Sequence, residues 1–190
     1  MKLLEERILK DGRILPGNVL KVDNFLNHQI DVDLIYALGE EWYRLFKDDG
    51  VTKIMTIEAS GIGIACIAAM KFGVPVLFAK KSKSNNIGDD FYSTEVMSYT
   101  HGRTYDVMAS KKYINPGDRI LLIDDFLANG NALKALIRLA EMGGATVVGA
   151  GIAIEKVYQN GGNDIRKQGY RVESLAKVAS MSDDGKIEFC

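Results

Sequence analysis

The sequence predicts an α/β protein in which helices flank a mostly parallel central sheet. Short apolar runs of strand length alternate with amphipathic helical segments through the middle of the chain. The clearest run, at residues 120–123, is continuously apolar, as is typical of a strand covered on both faces. In such a sheet, ligands bind at the carboxyl ends of the strands.

The first half of the chain begins with a short predicted helix that ends near Gly12, and residues 14–30 are predicted to form loop and short extended pieces. A clear amphipathic helix comes next, because large apolar residues recur along one side of it. That side consists of Leu34, Ile35, Leu38, Trp42, Leu45 and Phe46. Asp31 or Asp33 can cap this helix, and Gly50 closes it.

The following elements alternate between strand and helix. Their apolar content predicts a strand over residues 53–57, a helix over 62–72 and a strand over 75–79. Residues 93–110 alternate weakly around a turn near Gly102, which indicates a β-hairpin. Beyond the strand at 120–123, the apolar residues from 133 to 140 predict a helix that Gly143 and Gly144 end. A strand over 146–154, part of a helix over 164–168 and an extended segment over 170–179 are predicted after it.

Length and composition fit one ordinary globular domain of 190 residues, with 47% hydrophobic and 26% charged residues. A net charge of -1 provides no basic surface for nucleic acid. Two cysteines, Cys66 and Cys190, are too few for a disulfide framework and fit a reducing cytosol. Acidic residues near the start oppose a signal peptide, and no apolar run approaches the length of a membrane span. We therefore expect a cytoplasmic protein that binds neither nucleic acid nor membrane.

The most informative segment surrounds the strand at residues 120–123. Asp124 and Asp125 follow that strand, and a turn of small residues then leads directly into an amphipathic helix. The turn consists of Ala128, Asn129, Gly130, Asn131 and Ala132. Free backbone N–H groups at a helix N-terminus can bind a phosphate, and adjacent carboxylates can bind the hydroxyls of the attached sugar. The alternative is that the aspartates only cap a helix or face solvent.

This segment, with the sequence IDDFLANGNA, resembles the phosphoribosyl pyrophosphate (PRPP) motif of the type I phosphoribosyltransferases, and most closely that of their xanthine-using branch. Many relatives have a Thr or Ser hydroxyl in the phosphate turn, where this chain has Asn131 and Ala132. Backbone N–H groups must therefore do more of the binding. The resemblance spans nearly the whole chain and implies a single phosphoribosyltransferase domain, residues 1–190, with a small hood from about residues 1–30 and 156–190.

The resemblance also implies an activity, which is transfer of the 5-phosphoribosyl group from PRPP to N9 of xanthine. The products are xanthosine 5′-monophosphate and pyrophosphate, as in purine salvage. The turn at residues 128–132 would bind the 5′-phosphate, and Asp124 and Asp125 would bind the ribose hydroxyls. The resemblance further implies a homodimer, Mg²⁺ that arrives bound to PRPP and pyrophosphate, and no metal ligands from the protein. It assigns no catalytic side chain.

Three residues match positions that contact the purine in the resembled family, namely Leu20, Asn27 and Lys156. A leucine can pack on the purine rim, an asparagine amide can face the 2-oxo edge, and a fixed cation favours an oxopurine over an exocyclic amine. Without the resemblance, Asn27 indicates a capped loop and Lys156 a solvated strand end. Guanine or hypoxanthine as the base stays open, as does a regulator that binds PRPP without turning it over.

Two further segments are candidates for contacts with pyrophosphate. The small-residue turn at residues 58–61 comes directly before a helix, and the resembled family uses the equivalent turn for this contact. The polar loop at residues 80–90 follows a strand and carries Lys80, Lys81 and Lys83, which favours a lid. The resemblance implies that this loop closes over the reacting sugar and excludes water. The alternatives are an ordinary strand–helix connection and a surface loop.

Overall fold

Ten strands and five α-helices make up the part of the chain that the computed structural model describes, which is residues 1–81, 90–98, 103–182 and 184–190. The strands are β1 (Arg13–Leu15), β2 (Val19–Lys21), β3 (Lys53–Ile57), β4 (Val76–Ala79), β5 (Phe91–Ser98), β6 (Arg103–Ser110), β7 (Arg119–Leu127), β8 (Thr146–Lys156), β9 (Val172–Met181) and β10 (Ile187–Phe189). The helices are α1 (Lys2–Asp11), α2 (Val32–Phe46), α3 (Ser60–Phe72), α4 (Asn131–Met142) and α5 (Gly161–Lys167).

A six-stranded sheet lies at the centre, in the order β10-β9-β8-β7-β3-β4. Its strands pair in parallel except at one edge, where β10 pairs antiparallel with β9. The chain runs outward from β3 to β4 on one side, and from β7 to β8 and β9 on the other. The topological switch point therefore lies between β3 and β7, where open α/β sheets bind their ligands. The predicted α/β class and mostly parallel sheet are confirmed.

Apolar layers on both faces of the sheet explain why β7 begins as a continuous apolar run. Leu121 and Ile123 belong to a cluster with α2 and α3, in which Trp42 is fully buried. Ile120 and Leu122 point the other way and belong to a second cluster with α4. Because alternate strand residues face opposite sides, a strand covered on both faces must be apolar at every position.

The N-terminal residues pack over one end of this sheet. β1 and β2 form a two-stranded antiparallel ribbon, and a π-helical turn, Asp23–Asn27, follows it. Leu20, Phe25 and Leu26 from this region are buried in the same cluster as α2 and α3. The Asp31 side chain accepts a hydrogen bond from the Leu34 N–H at 3.1 Å, so Asp31 is the residue that caps α2.

Several predicted boundaries shift in the structure. α3 begins at Ser60 rather than at residue 62, and α5 spans Gly161–Lys167 rather than 164–168. β7 continues through both aspartates to Leu127, because its pairing with β8 extends that far. The strand β10 was not predicted. The predicted hairpin is present as β5 and β6, although its turn near Gly102 lies outside the described residues, as does most of the predicted lid (82–89).

None of the helices in the described ranges combines the length and the apolar character needed to cross a membrane.

Close packing of β8 on α2 generates a stability prediction for Gly151→Ala. A Cβ at Gly151 would lie 2.7 Å from Ile123 Cδ1 and 2.8 Å from Trp42 Cδ1. Because overpacking forces side chains from their rotamers, we expect a loss of about 1–3 kcal/mol in the free energy of unfolding, measured in urea. Thr146→Ala, exposed on the same strand, is the control and should change it by about 0.5 kcal/mol or less. Equal stability of Gly151→Ala and the wild type would contradict this packing.

Candidate active site

The turn at residues 128–132 joins β7 to α4 at the carboxyl edge of the sheet. Gly130 adopts a left-handed conformation, with φ of 78°, and occupies the position before the first residue of α4. A side chain would be strained there, and Gly130 supplies no capping oxygen to the first turn of the helix. α4 also has no acidic residue in its first turn. The turn therefore presents the positive end of a helix dipole, which suits an anion.

Asp124 and Asp125 lie buried beside this turn, with 5% and 7% of their surfaces exposed. Asp124 Oδ1 accepts a hydrogen bond from the Asp125 backbone N–H at 3.0 Å. Burial raises the pKa of the Asp124 carboxyl well above its ordinary value, and the neighbouring Asp125 charge adds to this. Two adjacent buried acids are expensive to ionise without a partner, so this arrangement indicates a binding site more than a helix cap.

The predicted base-binding residue Asn27 lies against the acid pair. Its Nδ2 donates to Asp125 Oδ2 at 2.9 Å, although the two residues are 98 positions apart. The π-helical turn that ends at Asn27 therefore connects the N-terminal segment directly to the end of β7. Asn27 thus contacts the acid pair itself, a role that the resemblance had not implied.

The turn at residues 58–61 approaches Asp124 from the neighbouring strand β3. A Cβ on Gly61 would lie 3.2 Å from Asp124 Oδ1 and 2.1 Å from Thr56 Oγ1, so only glycine fits this position. Glu58 and Ala59 are joined by a cis peptide bond. Glu58 Oε1 accepts a hydrogen bond at 2.6 Å from the backbone N–H of Lys81, at the start of the polar loop. The structure thus brings this turn and the acid pair together at the switch point.

The lysines of the predicted lid lie in different surroundings. The positive charge of Lys81 partly offsets the rise in the pKa of Asp124, so Lys81 lies within electrostatic reach of the acid pair. The Lys80 backbone instead pairs with Met108 of β6, and its Nζ lies 5.9 Å from the Phe78 ring centroid. Lys83 lies outside the described residues.

Lys156 and Leu20 lie on the side of the N-terminal ribbon. Lys156 Nζ, at the end of β8, donates to the backbone oxygen of Asn18 at 2.7 Å. Asn18 precedes β2, in which Leu20 is buried. Burial lowers the pKa of the Lys156 ammonium. Its Nζ also lies 5.9 Å from the ring centroid of Phe126, which follows the acid pair.

Two aromatic residues at the site were not predicted. Phe126 is half-buried between the acid pair and the turn, and Tyr105 on β6 has its pKa raised by burial and by the charge of Asp124. Strict alternation along β7 would not have predicted the position of Phe126, because it packs against the cluster of Leu121 and Ile123 rather than that of Leu122. No sequence signal connects Tyr105 to Asp124, because their proximity depends on how the hairpin packs.

Comparisons with known proteins agree with this geometry. The sequence pattern of the phosphoribosyl transferase domain matches residues 21–181. A xanthine phosphoribosyltransferase of Lachnoclostridium phytofermentans is 57% identical over 100% of this chain and 98% of its own length. One from Finegoldia magna is 54% identical over 98% of both chains.

Solved structures agree on the fold. An adenine phosphoribosyltransferase of Giardia lamblia, complexed with 9-deazaadenine, superposes with a TM-score of 0.77 at 19% identity and covers 92% of this chain and 97% of its own. One of Trypanosoma brucei, in complex with AMP, pyrophosphate and ribose-5-phosphate, has a TM-score of 0.77 at 17% identity and covers 96% of this chain and 82% of its own. At such identities the likeness shows the fold alone.

Electrostatic coupling within the acid pair generates a prediction for Asp125→Asn. The substitution removes the like charge beside Asp124, so the pKa of Asp124 should fall while burial still holds it above its ordinary value. Carboxyl ¹³C chemical shifts followed against pH measure this change. Asp33→Asn, exposed at the start of α2, should leave the Asp124 titration unaltered. If the pKa of Asp124 in Asp125→Asn equals that in the wild type, the electrostatic coupling between the two carboxyls is wrong.

The same raised pKa predicts a pH dependence of stability. Because the folded state binds the Asp124 proton more tightly than the unfolded state does, the contribution of Asp124 to stability is greatest below the ordinary aspartate pKa. It should decrease as pH rises through the folded-state pKa of Asp124. Comparison of urea midpoints for the wild type and Asp124→Asn across that range isolates this contribution, which the variant should lack.

Proposed function

The chain belongs to the phosphoribosyltransferase family, and on that premise we propose that it transfers the 5-phosphoribosyl group of PRPP to N9 of xanthine. The products are xanthosine 5′-monophosphate and pyrophosphate, in purine salvage. The observation that carries the proposal is the meeting of a buried acid pair with an anion-binding helix start at the switch point. The base is inferred from relatives of 53–57% identity that are named xanthine phosphoribosyltransferases.

The donor half of the proposed site is the end of β7. Backbone N–H groups of residues 128–132 bind the 5′-phosphate, and Asp124 and Asp125 bind the ribose hydroxyls. Positive charge develops on the sugar in the family reaction, so buried carboxylates fixed beside it provide electrostatic support without reorganisation. The protein's remaining tasks are to position both substrates and to exclude water from the reacting sugar.

The base half of the proposed site consists of Leu20, Asn27 and Lys156. A lysine ammonium has three donors, so Lys156 can bind a purine oxygen while it donates to Asn18. Its cation suits the partly ionised form of xanthine. It opposes an exocyclic amine such as that of guanine, which replaces the 2-oxo group of xanthine. Leu20 packs on the rim of the purine, and the Asn27 amide faces its 2-oxo edge.

We propose that Mg²⁺ enters with PRPP and leaves with pyrophosphate. The described residues contain no group of three or more His, Cys, Asp or Glu side chains that could hold a metal ion. Oxygens of the donor's pyrophosphate and hydroxyls would hold the ion, so no protein residue is assigned as its ligand. When bound, the ion neutralises charge on the departing pyrophosphate.

The remaining parts of the proposal concern organisation. The chain acts as one domain, residues 1–190, whose hood comes from about residues 1–30 and 156–190. It acts as a homodimer in the cytoplasm. Tyr36, Tyr43 and Met70, which are 47%, 41% and 76% exposed on α2 and α3, are apolar groups that a second subunit could cover. Free Cys66 and Cys190 fit a reducing compartment.

A base panel tests the proposed function. Purified protein is assayed by ultraviolet absorbance with PRPP, Mg²⁺ and each of xanthine, guanine, hypoxanthine and adenine. We expect kcat/KM for xanthine to exceed that for each other base by about tenfold or more, because unmatched polar edges leave buried groups unpaired. The Asp124→Asn/Asp125→Asn double variant should stay folded by circular dichroism and lose nearly all turnover.

In the base panel with the wild type, a preference for guanine or hypoxanthine would reassign the base, and PRPP binding without turnover would indicate a regulator.

Lys156→Ala tests the base half separately. Loss of a charged hydrogen-bond donor should raise KM for xanthine by about tenfold or more, while KM for PRPP changes little. Lys167→Ala, exposed on α5, is the matched control and should leave both constants unchanged. An unaltered KM for xanthine in Lys156→Ala would remove this lysine from the site.

A further inference from the structure

An ion pair whose carboxylate is buried lies directly behind the turn at residues 128–132, the proposed phosphate site. Glu155, on β8, is 1% exposed, and its two carboxylate oxygens each accept a hydrogen bond from the Arg166 guanidinium at 2.7 Å. The Ser174 hydroxyl of β9 donates to the same carboxylate. Arg166, on α5, also donates to the backbone oxygen of Val172 at 3.1 Å and 3.3 Å. This bidentate pair therefore ties α5 to two strands of the sheet.

Adjacent residues at the end of β8 serve opposite faces of the sheet. The Lys156 side chain reaches Asn18 on the side of the N-terminal ribbon. The Glu155 side chain, one residue earlier, reaches Arg166 on α5. Successive side chains of a strand point to opposite faces, so Glu155 is directed away from the proposed base site.

Two adjacent glycines at the start of α5 connect the ion pair to the turn. The Gly161 N–H donates to the backbone oxygen of Ala128 at 3.1 Å, and a Cβ on Gly161 would lie 2.2 Å from that oxygen. A Cβ on Gly162 would lie 1.9 Å from Glu155 Oε1. Gly161 therefore packs on the turn and Gly162 on the carboxylate, and neither position has room for a side chain.

The turn is also supported from behind by an apolar contact. A Cβ at Gly130 would lie 3.0 Å from Ile165 Cδ1, and Ile165 is the residue before Arg166 on α5. Burial alone would raise the pKa of the Glu155 carboxyl, but hydrogen bonds from Arg166 and Ser174 outweigh this and hold it below its ordinary value. An ionised carboxylate at such depth needs all its partners in place, so the orientation of α5 is strongly determined.

We propose that Glu155, acting through Arg166, is a positioning residue for the phosphate turn. It holds α5 so that Gly161 keeps the backbone N–H groups of residues 128–132 in the orientation that binds the 5′-phosphate of the donor. The inference rests on the proposed function, because it takes this turn as the phosphate site. Damage to the ion pair should therefore weaken binding of the phosphoribosyl donor and spare the base, although Glu155 is next to Lys156 in the chain.

Glu155→Gln tests this role, since it keeps the size of the side chain and removes its charge. We expect KM for PRPP and the Kd of ribose 5-phosphate, measured by calorimetry, to rise about tenfold or more, because small displacements of a binding group are costly. KM for xanthine should stay within about twofold of the wild type. Glu188→Gln is the matched control, because Glu188 is exposed on β10, where it accepts a hydrogen bond from the Ser180 hydroxyl, and it should change none of these values.

Two more variants separate positioning from general damage. Ser174→Ala removes one hydrogen bond to Glu155 and should shift donor affinity in the same direction by a smaller factor, so it provides the test if Glu155→Gln does not fold. Arg166→Lys keeps the charge but not the bidentate geometry, and it should weaken donor binding nearly as much as Glu155→Gln.

The outcomes distinguish this inference from the proposed function. If the wild type binds ribose 5-phosphate and turns over xanthine, but Glu155→Gln and Ser174→Ala bind ribose 5-phosphate as tightly as it does, the positioning role is wrong. An equal rise in KM for both substrates would also overturn it, because a general structural defect would not select the donor. If the wild type neither turns over PRPP nor binds ribose 5-phosphate, the proposed function itself fails.

Discussion

The burial of two neighbouring carboxylates at the end of β7 is the constraint on which the rest of the site depends. Such a pair is stable only where nearby groups donate hydrogen bonds or where a ligand does so. The Asn27 amide supplies one donor to Asp125, and the Asp125 N–H supplies one to Asp124. Gly61 leaves space beside Asp124, because any larger residue would collide with Thr56. The N-terminal segment, the β3–α3 connection and the central strand are thereby organised around a single pair of acids.

Successive side chains of a strand point to opposite faces of the sheet, so adjacent residues can have different roles. At the end of β8, Lys156 serves the face that carries the N-terminal ribbon, and Glu155 serves the face that carries α5. In the proposed arrangement, base recognition and phosphate positioning depend on opposite faces of the sheet, although the two side chains come from adjacent residues. The cost is a buried carboxylate, which is tolerated because Arg166 binds both of its oxygens and Ser174 adds a third hydrogen bond.

Fold and base preference belong to different parts of this molecule. The fold superposes on those of adenine phosphoribosyltransferases at 19% and 17% sequence identity, so it does not require one particular sequence. The proposed base contacts, Leu20, Asn27 and Lys156, come from two segments that are far apart in the chain. The sheet itself requires only apolar strands of the right period.

The sequence by itself determined the sheet class, the hairpin, the acid pair and the small-residue turn. Each of these depends only on local periodicity or on a short run of residues. It could not determine that Asn27 binds Asp125, that Tyr105 lies near Asp124, or that Glu155 pairs with Arg166 behind the turn. Periodicity assigns a residue to a face of its own element, but not the partner that packs against that face. The end of β7 shows the same division. The apolar run in the sequence predicted that the strand ends before Asp124, whereas β7 pairs with β8 as far as Leu127. Backbone hydrogen bonds to a neighbouring strand decide where a strand stops.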